Sequence, residues 1–409
     1  MGTRGRQQAI VAGTAVVGAL VAIVLGFLTF GAQTTAGPQA VPVAVTTPEQ
    51  APPQLAAVAE RVAGAGGDML DWHVAEQAAG RAMLEDQDVY GVLELGMGPE
   101  GPSVTVVTSG AVNPTGTQVA EQALTAAGGQ VAAAMAQQAG AQAGGEQAGE
   151  AGAQPGMAPP QVASETIHPT GTTGRVAPLG ISALAWIGGL VGSAALAVQV
   201  RRGVLRVGVG ARLVHLVLTG TLVTGVLVGF LALWDSSLVL DWSVVGFLAL
   251  TATAFASVQG MLLRWLGIPA MAVLGPLYLL APSVAAQVPE MLDSAYRTLL
   301  WSWTPFRFST EGLRSLIVGT PDTAHVSTAL WVLGGMLVVG LIGLLWPRAA
   351  DSADAAESAD SAGATCRSDQ PGRRLNRTRR TGLSTLVSTR QIDCHVPSAS
   401  RPSSTGTVA

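Results

Sequence analysis

The residues able to do chemistry are few and stand apart. Five histidines, His73, His168, His215, His325 and His395, are scattered along the chain. The two cysteines, Cys366 and Cys394, lack CxxC spacing, and Cys394 with its neighbour His395 offers two ligands where a structural zinc site needs four. A P-loop of the form GxxxxGKS or GxxxxGKT is missing, as are a GxSxG elbow and an HExxH pair. The glycine pair in 207–211 (VGVGA), just after Arg206, has no strand before it and no third glycine in register, so a dinucleotide cradle is not indicated. No catalytic residue, cofactor or metal site is assigned, and an enzyme is the weakest functional class.

What remains chemically distinctive is where the charges sit. The sequence is 49% apolar and 12% charged, with a mean hydropathy of +0.42, on the membrane side of globular composition. All 22 basic residues are arginine. Within a long apolar block, residues 178–346, the charged residues fall at the breaks. A helix needs ~20 apolar residues to cross a bilayer. The block holds five such stretches, at 179–200, 213–234, 242–263, 266–288 and 328–346. None has Asp, Glu or Arg near its middle, which argues against a proton relay of its own. Their polar residues, Thr219, Thr221, Thr224, Thr251, Thr253, Ser257 and Gln259, are expected to hydrogen-bond between helices. His215 reads as an interfacial or hydrogen-bonded residue.

A sixth span is expected at 10–30, after a cytoplasmic stretch (1–9) carrying Arg4 and Arg6. This uncharged run exceeds the ~7 to 15 apolar residues of a secretory signal and reads as an uncleaved anchor, with cleavage near Phe30-Gly31-Ala32 as the alternative. Arg201, Arg202, Arg206 and Arg212 follow the second span, Arg264 the fourth and Arg348 the last. Six spans with both termini in the cytoplasm place all of these inside, while 235–241, with two Asp and no Arg, falls outside. Trp234, Trp242, Trp301, Trp303 and Trp346 sit at or beside span ends, where an amphipathic ring prefers the headgroup region. Two GxxxG pairs, Gly188 with Gly192 and Gly225 with Gly229, either let helices approach closely or reflect the 51 glycines of the composition. The stretch 266–288 holds Pro269, Pro276 and Pro282 and should bend within the bundle.

Between the first two spans lies an exported region. Residues 31–175 carry 14 acidic residues against 3 arginines. The carboxylates are scattered, which suits a solvated surface better than a metal or cationic partner. Strands are expected at 41–46, 90–95 and 103–107, and helices at 72–84 and 118–139, giving a small α/β domain over 31–139. Residues 140–177 read as a Gly/Ala/Gln/Pro-rich linker. Residues 289–327, too polar to span, have helical spacing suited to lying in or dipping into the outer interface. The tail, 347–409, carries an acidic near-repeat (DSADAAESADSA) and a basic run (RRLNRTRR). It reads as a disordered, solvated cytoplasmic tail, not a nucleic-acid contact. The fold class is therefore a polytopic α-helical membrane protein of the plasma membrane. It has six transmembrane helices and a small α/β extracytoplasmic domain between the first and second.

This layout resembles the type-2 class of ABC exporter permeases, particularly the actinobacterial branch similar to the phage-infection-protein family. The residues that carry the likeness are VPVAVTTPEQ at 41–50, EQAAGRAMLEDQDVYGVLEL at 76–95 and AAQVPEMLDSAYRTLLWSWTPFRFSTEGLRSLIVG at 285–319. The exported domain is short for that family, and the tail has no counterpart. The resemblance implies a homodimer of permease chains in membrane lipid, driven by a separate P-loop ATPase and expelling a lipid-like or amphipathic substrate. It also implies an ATPase-coupling loop at Arg201, Arg202, Arg206 and Arg212, although the same arginines could simply set topology. The outer re-entrant region would include Trp301, Trp303, Pro305, Leu313 and Arg314. The competing expectation is a non-transporting receptor or scaffold whose exported domain binds an envelope or extracellular partner.

Overall fold

The computed structural model describes residues 36–65, 67–98, 101–143, 162–205, 207–236, 240–320 and 322–347, together with Val16, Ile23 and Leu238. The expected first span and the tail lie outside the described residues.

The first part of the described chain is a five-stranded sheet with helices on both faces. Its strands are β1 (Val41–Thr47), β2 (Leu70–Glu76), β3 (Val92–Gly98), β4 (Gly101–Ser109) and β5 (Val162–Ile167), in the order β2-β1-β3-β4-β5. Only β3 and β4 pair antiparallel, as a hairpin; the other neighbours are parallel. Parallel pairing needs crossovers. Those next to β1 are supplied by α1 (Pro53–Ala65) and α2 (Gln77–Glu85), and β4 reaches β5 by way of α3 (Pro114–Ala143). The alternation of strand side chains sorts the two cores. Val43, Val45, Leu93, Leu95, Val104 and Val106 meet Leu55 and Ala59 of α1 and Ala120 and Leu124 of α3, while Ala44, Val92 and Val107 meet Leu84 of α2. A strand buried on both faces loses the polar alternation of a half-exposed one, which is why VPVAV reads as a nearly continuous apolar run.

Three sequence expectations need correction here. The helix expected over 72–84 is strand as far as Glu76, because β2 pairs with β1 over seven residues and that pairing overrides the helical spacing. The linker expected over 140–177 contains the end of α3, strand β5 and the start of the next helix. Strand β5 reads as polar because it is an edge strand, and it is held by an ion pair as well as by its ladder. Arg81 of α2 forks between Glu94 of β3 (2.6 Å) and Glu165 of β5 (2.6 Å). These hydrogen bonds, from Glu94 first and Glu165 second, push the Arg81 guanidinium above its ordinary range and hold the Glu165 carboxyl below its own. The α/β domain accordingly runs past 139, to Ile167.

Among the described residues, four helices are long and apolar enough to cross a membrane: α4 (Thr172–Arg201), α5 (Val209–Trp234), α6 (Trp242–Leu266) and, after an intervening region, α9 (Ala324–Leu345). Helix α6 is the centre of the bundle, with 56% of its apolar window buried against 22–33% for the other three. The expected span at 266–288 differs. Gly267 (φ +69°) ends α6, a 3₁₀ turn with Pro269 follows, and α7 (Met271–Ala285) has only 15 residues. At ~2.0 Å per residue for the turn and 1.5 Å for the helix, turn and helix together cover about 28 Å.

Glycines set the close approaches. A Cβ on Gly188 would lie 2.8 Å from Val223, and one on Gly192 3.3 Å from Thr219, so this pair packs α4 against α5. Gly225 and Gly229 face open space, so the second pair makes no such contact. The span hydroxyls also differ from expectation. Thr224, Thr251 and Thr253 donate to carbonyls four residues earlier in their own helices, and Ser257 to one three residues earlier. Their own turn satisfies them. Gln259 does bridge helices, donating to the Trp186 carbonyl at 3.0 Å.

The tightest approach is at Gly340 of α9, where a Cβ would stand 2.7 Å from the Ser257 backbone carbon. Gly340→Val should therefore force α6 and α9 apart at a cost of about 2–3 kcal/mol. Gly225→Val should leave stability nearly unchanged. Melting of the detergent-solubilised protein measures both, and equal melting temperatures for the two variants would refute this packing.

Candidate functional site

Residues 286–323 leave the outer pattern of the bundle and re-enter it. After a 3₁₀ turn (Pro289–Met291), Asp293 caps a helical turn at Ser294–Tyr296, its carboxylate accepting from the Ala295 amide at 2.9 Å. The turn continues as a π-helix at Arg297–Trp301. The chain then reverses, and α8 (Pro305–Val318) starts with proline at its first position, where a missing N–H costs nothing. It ends at Gly319 in the left-handed conformation (φ +86°), and the Thr320 amide closes on the Ser315 carbonyl at 2.9 Å.

Aromatic contacts fix the depth of this hairpin. Phe306 lies 5.1 Å from Trp186 and 5.5 Å from Phe255, which are themselves 5.1 Å apart in an edge-on pair. Trp186 is about 21 Å along α4 from its start and Phe255 about 20 Å along α6, at 1.5 Å per residue. So α8 begins near the middle of the bundle and rises to the end where the α/β domain sits. Thr310 donates to Ser182 of α4 (3.4 Å), and Phe306, Leu313 and Leu316 are buried.

The same helix brings charge into the bundle. The Arg307 guanidinium lies 3.6 Å from the centroid of the Trp301 ring and 4.3 Å from that of Phe308. Glu311 receives Arg307 at 3.6 Å and His325 at 3.5 Å. One turn on, Arg314 is only 5% exposed, and its Nε has no hydrogen-bond partner among the described residues. The carboxylate of Glu311 acts on it, and the helix C-terminus adds partial negative charge. The four spanning candidates do lack central charges. Charge enters the bundle on a different element, α8.

The α/β domain closes this end. Tyr90 donates to Glu290 at 3.0 Å, and Gln87 donates to Ser315 at 2.9 Å and Thr320 at 3.4 Å. Backbone amides of Gly37 and Gln39 donate to the carbonyls of Met291 and Glu290, and Thr115 donates to that of Ala286. Gln87 is held at φ +66°, an uncommon conformation for a side-chain-bearing residue, as it reaches down. Burial pushes the Glu290 carboxyl above its ordinary range. Burial first, and the Glu290 charge second, push the Tyr90 hydroxyl up as well.

Of the residues expected in the outer region, Pro305, Leu313 and Arg314 are buried in α8, Trp301 is half-buried in the π-helix, and Trp303 is exposed beside it. The arginines of the expected coupling loop gather elsewhere. Arg201 and Arg202 are exposed at the end of α4 and Arg212 is in the first turn of α5, while Arg206 lies outside the described residues. This is the far end of the bundle, where Arg264 and Trp265 of α6 donate to carbonyls at the end of α9. Glu290, Arg307, Glu311 and Gln87 were not singled out from sequence. Their signal was the run of polar residues breaking an apolar block.

No protein-family model matches this chain, and no curated protein or solved structure does either.

Because the Glu290 carboxyl is raised, the folded junction holds its proton more tightly than the unfolded chain. The buried carboxylate then penalises the fold as pH rises through the raised value, and the penalty disappears below the ordinary value of 4.5. Glu290→Gln should flatten this part of the profile, raising melting temperature relative to the parent at pH 7 more than at pH 4.5. An equal difference at both pH values would refute the assignment.

Proposed function

We propose that this chain is the membrane-spanning permease subunit of an ATP-driven exporter, moving a lipid-like or amphipathic substrate outward with energy from a separate P-loop ATPase. The observation that carries the reading is the hairpin under the α/β domain. It packs the apolar residues Phe306 and Leu313 next to Arg307 and Arg314 on one helix inside the bundle. An amphipathic molecule needs both kinds of surface. In this reading, 289–327 is the outer re-entrant region, and the α/β domain is an exported cap whose hydrogen bonds to Glu290 and Ser315 must yield for release.

Six spans complete the topology, with 10–30 as the first and the 3₁₀ turn plus α7 as the fifth, its length of about 28 Å close to the ~30 Å of a hydrocarbon core. The arginines at the ends of α4 and α6 and the start of α5 then lie inside, and Asp235 and Asp241 outside, in keeping with the positive-inside rule. Arg201, Arg202, Arg206 and Arg212 form the ATPase contact, and two permease chains pair in the plasma membrane. One observation favours the second reading, a receptor or scaffold: the α/β domain has a polar cavity of its own at the start of α4.

The test is a mild-detergent pull-down of the tagged protein from its native host, with ATP hydrolysis assayed. A P-loop ATPase should co-purify, with hydrolysis lost when its P-loop lysine is replaced. Recovery of envelope proteins alone would support the receptor instead. Replacing Arg201, Arg202 and Arg206 together with Ala should release the ATPase while the protein remains inserted; unchanged co-purification would remove the loop from the mechanism.

A further inference from the structure

A cavity of about 400 Å³ lies at the carboxyl ends of β4 and β5. Its size falls within the range of small-molecule sites, and its position beyond the ends of a parallel strand pair, where a helix begins, is a common one for ligands. The two loops leaving these strands touch at its edge, since a Cβ on Gly110 would stand 2.2 Å from the His168 carbonyl oxygen. Helix α3 lines it with Pro114, Thr117, Gln118 and Glu121, which share a face by their spacing of three, four and seven residues. Arg175, from the first turns of α4, also lines it.

Two features give the cavity a chemical character. Arg175 and Glu121 carry opposite charges in one cavity, yet neither side chain makes an ion pair or hydrogen bond with a described residue. The buried hydroxyls of two lining threonines, Thr117 and Thr170, also have no hydrogen-bond partner among the described residues. Native structures rarely leave such buried groups unmatched. Among the described residues no aromatic ring lines the cavity, so they offer no stacking surface of the kind nucleobases use.

We infer that this cavity binds a small zwitterion of the amino-acid or short-peptide class, its carboxylate against Arg175 and its ammonium against Glu121. Charge-assisted hydrogen bonds to a guanidinium and a carboxylate suit these two ends. The ligand bridges α3 to the first turns of α4, so the α/β domain and a spanning candidate share one site. The inference is independent of whether the chain transports, because binding is read without any ATPase.

The experiment measures melting of the full-length detergent-solubilised protein against increasing glycylglycine or L-alanine, with acetate and ethylamine as single-charge controls. At least one zwitterion should raise the melting temperature with saturation while neither control does. Arg175→Gln and Glu121→Gln should each weaken the half-saturating concentration about tenfold or more, and Arg61→Gln, elsewhere in the domain, should not. Both target residues are exposed, so the fold should survive the substitutions. The inference is overturned if neither zwitterion stabilises, if acetate or ethylamine alone does so equally, or if the effect survives both cavity substitutions.

Discussion

Charge placed in an apolar bundle must be matched by something, and that constraint organises this molecule. An unpaired ion moved into a low-dielectric interior costs several kcal/mol even after relaxation. Helix α8 carries Arg307, Glu311 and Arg314 into the bundle within two turns. Arg307 is covered by two aromatic faces, Glu311 is shared by Arg307 and His325, and Arg314 sits where the helix C-terminus and the Tyr90–Glu290 pair lie close. Remove the α/β domain and this end of the hairpin loses Tyr90, Gln87 and the amides of Gly37 and Gln39. The domain is thus part of how the bundle tolerates its charges.

The apolar side of the bundle answers to packing, because lipid offers apolar surface no gain from leaving it. Helix α6 takes the centre, with small residues at the crossings: Gly189 against Ala256, Gly220 against Thr253, Gly340 against Ser257. Mid-helix, Gln259 of α6 bridges to the Trp186 carbonyl, Arg264 and Trp265 bridge to α9 at the far end, and Thr251 and Ser257 bond to their own turns. The outward faces of α5 and α9 remain apolar and exposed, with Leu222, Leu233 and Trp331 the most open.

The α/β domain is joined to this bundle through the chain itself and through its last strand. Strand β5 is held beside β4 by its ladder and by Arg81, which spans from Glu94 of β3 to Glu165, and five residues later the chain is already helix α4. A strand fixed so close to a long helix leaves little slack between domain and bundle, and the polar cavity lies in that short interval.

The amino-acid sequence alone located the four long helices, three of them to within about four residues and α4 from seven residues after its start, because each is an apolar run with charges near its ends and the cost of burying a charge marks the boundary. It also located β1, β3 and β4, whose β-prone runs need no distant partner to be seen. What it could not determine depended on contacts between remote residues. Strand β5 looked like linker because an edge strand held by a ladder and an ion pair need not be apolar. Residues 72–76 looked helical because parallel pairing with β1 leaves no mark in their own spacing. The span at 266–288 was legible as apolar length, but the break at Gly267 and Pro269 depends on how α6 packs. The hairpin region, 289–327, was legible as a polar interruption, and Arg314 was picked out within it. Only the tertiary structure decided that Phe306 would anchor α8 against Trp186 and Phe255 at mid-bundle, and that Tyr90, two hundred residues away, would meet Glu290. Local sequence records the cost of exposing or burying each residue. The identity of the partner that offsets it is a property of the folded chain.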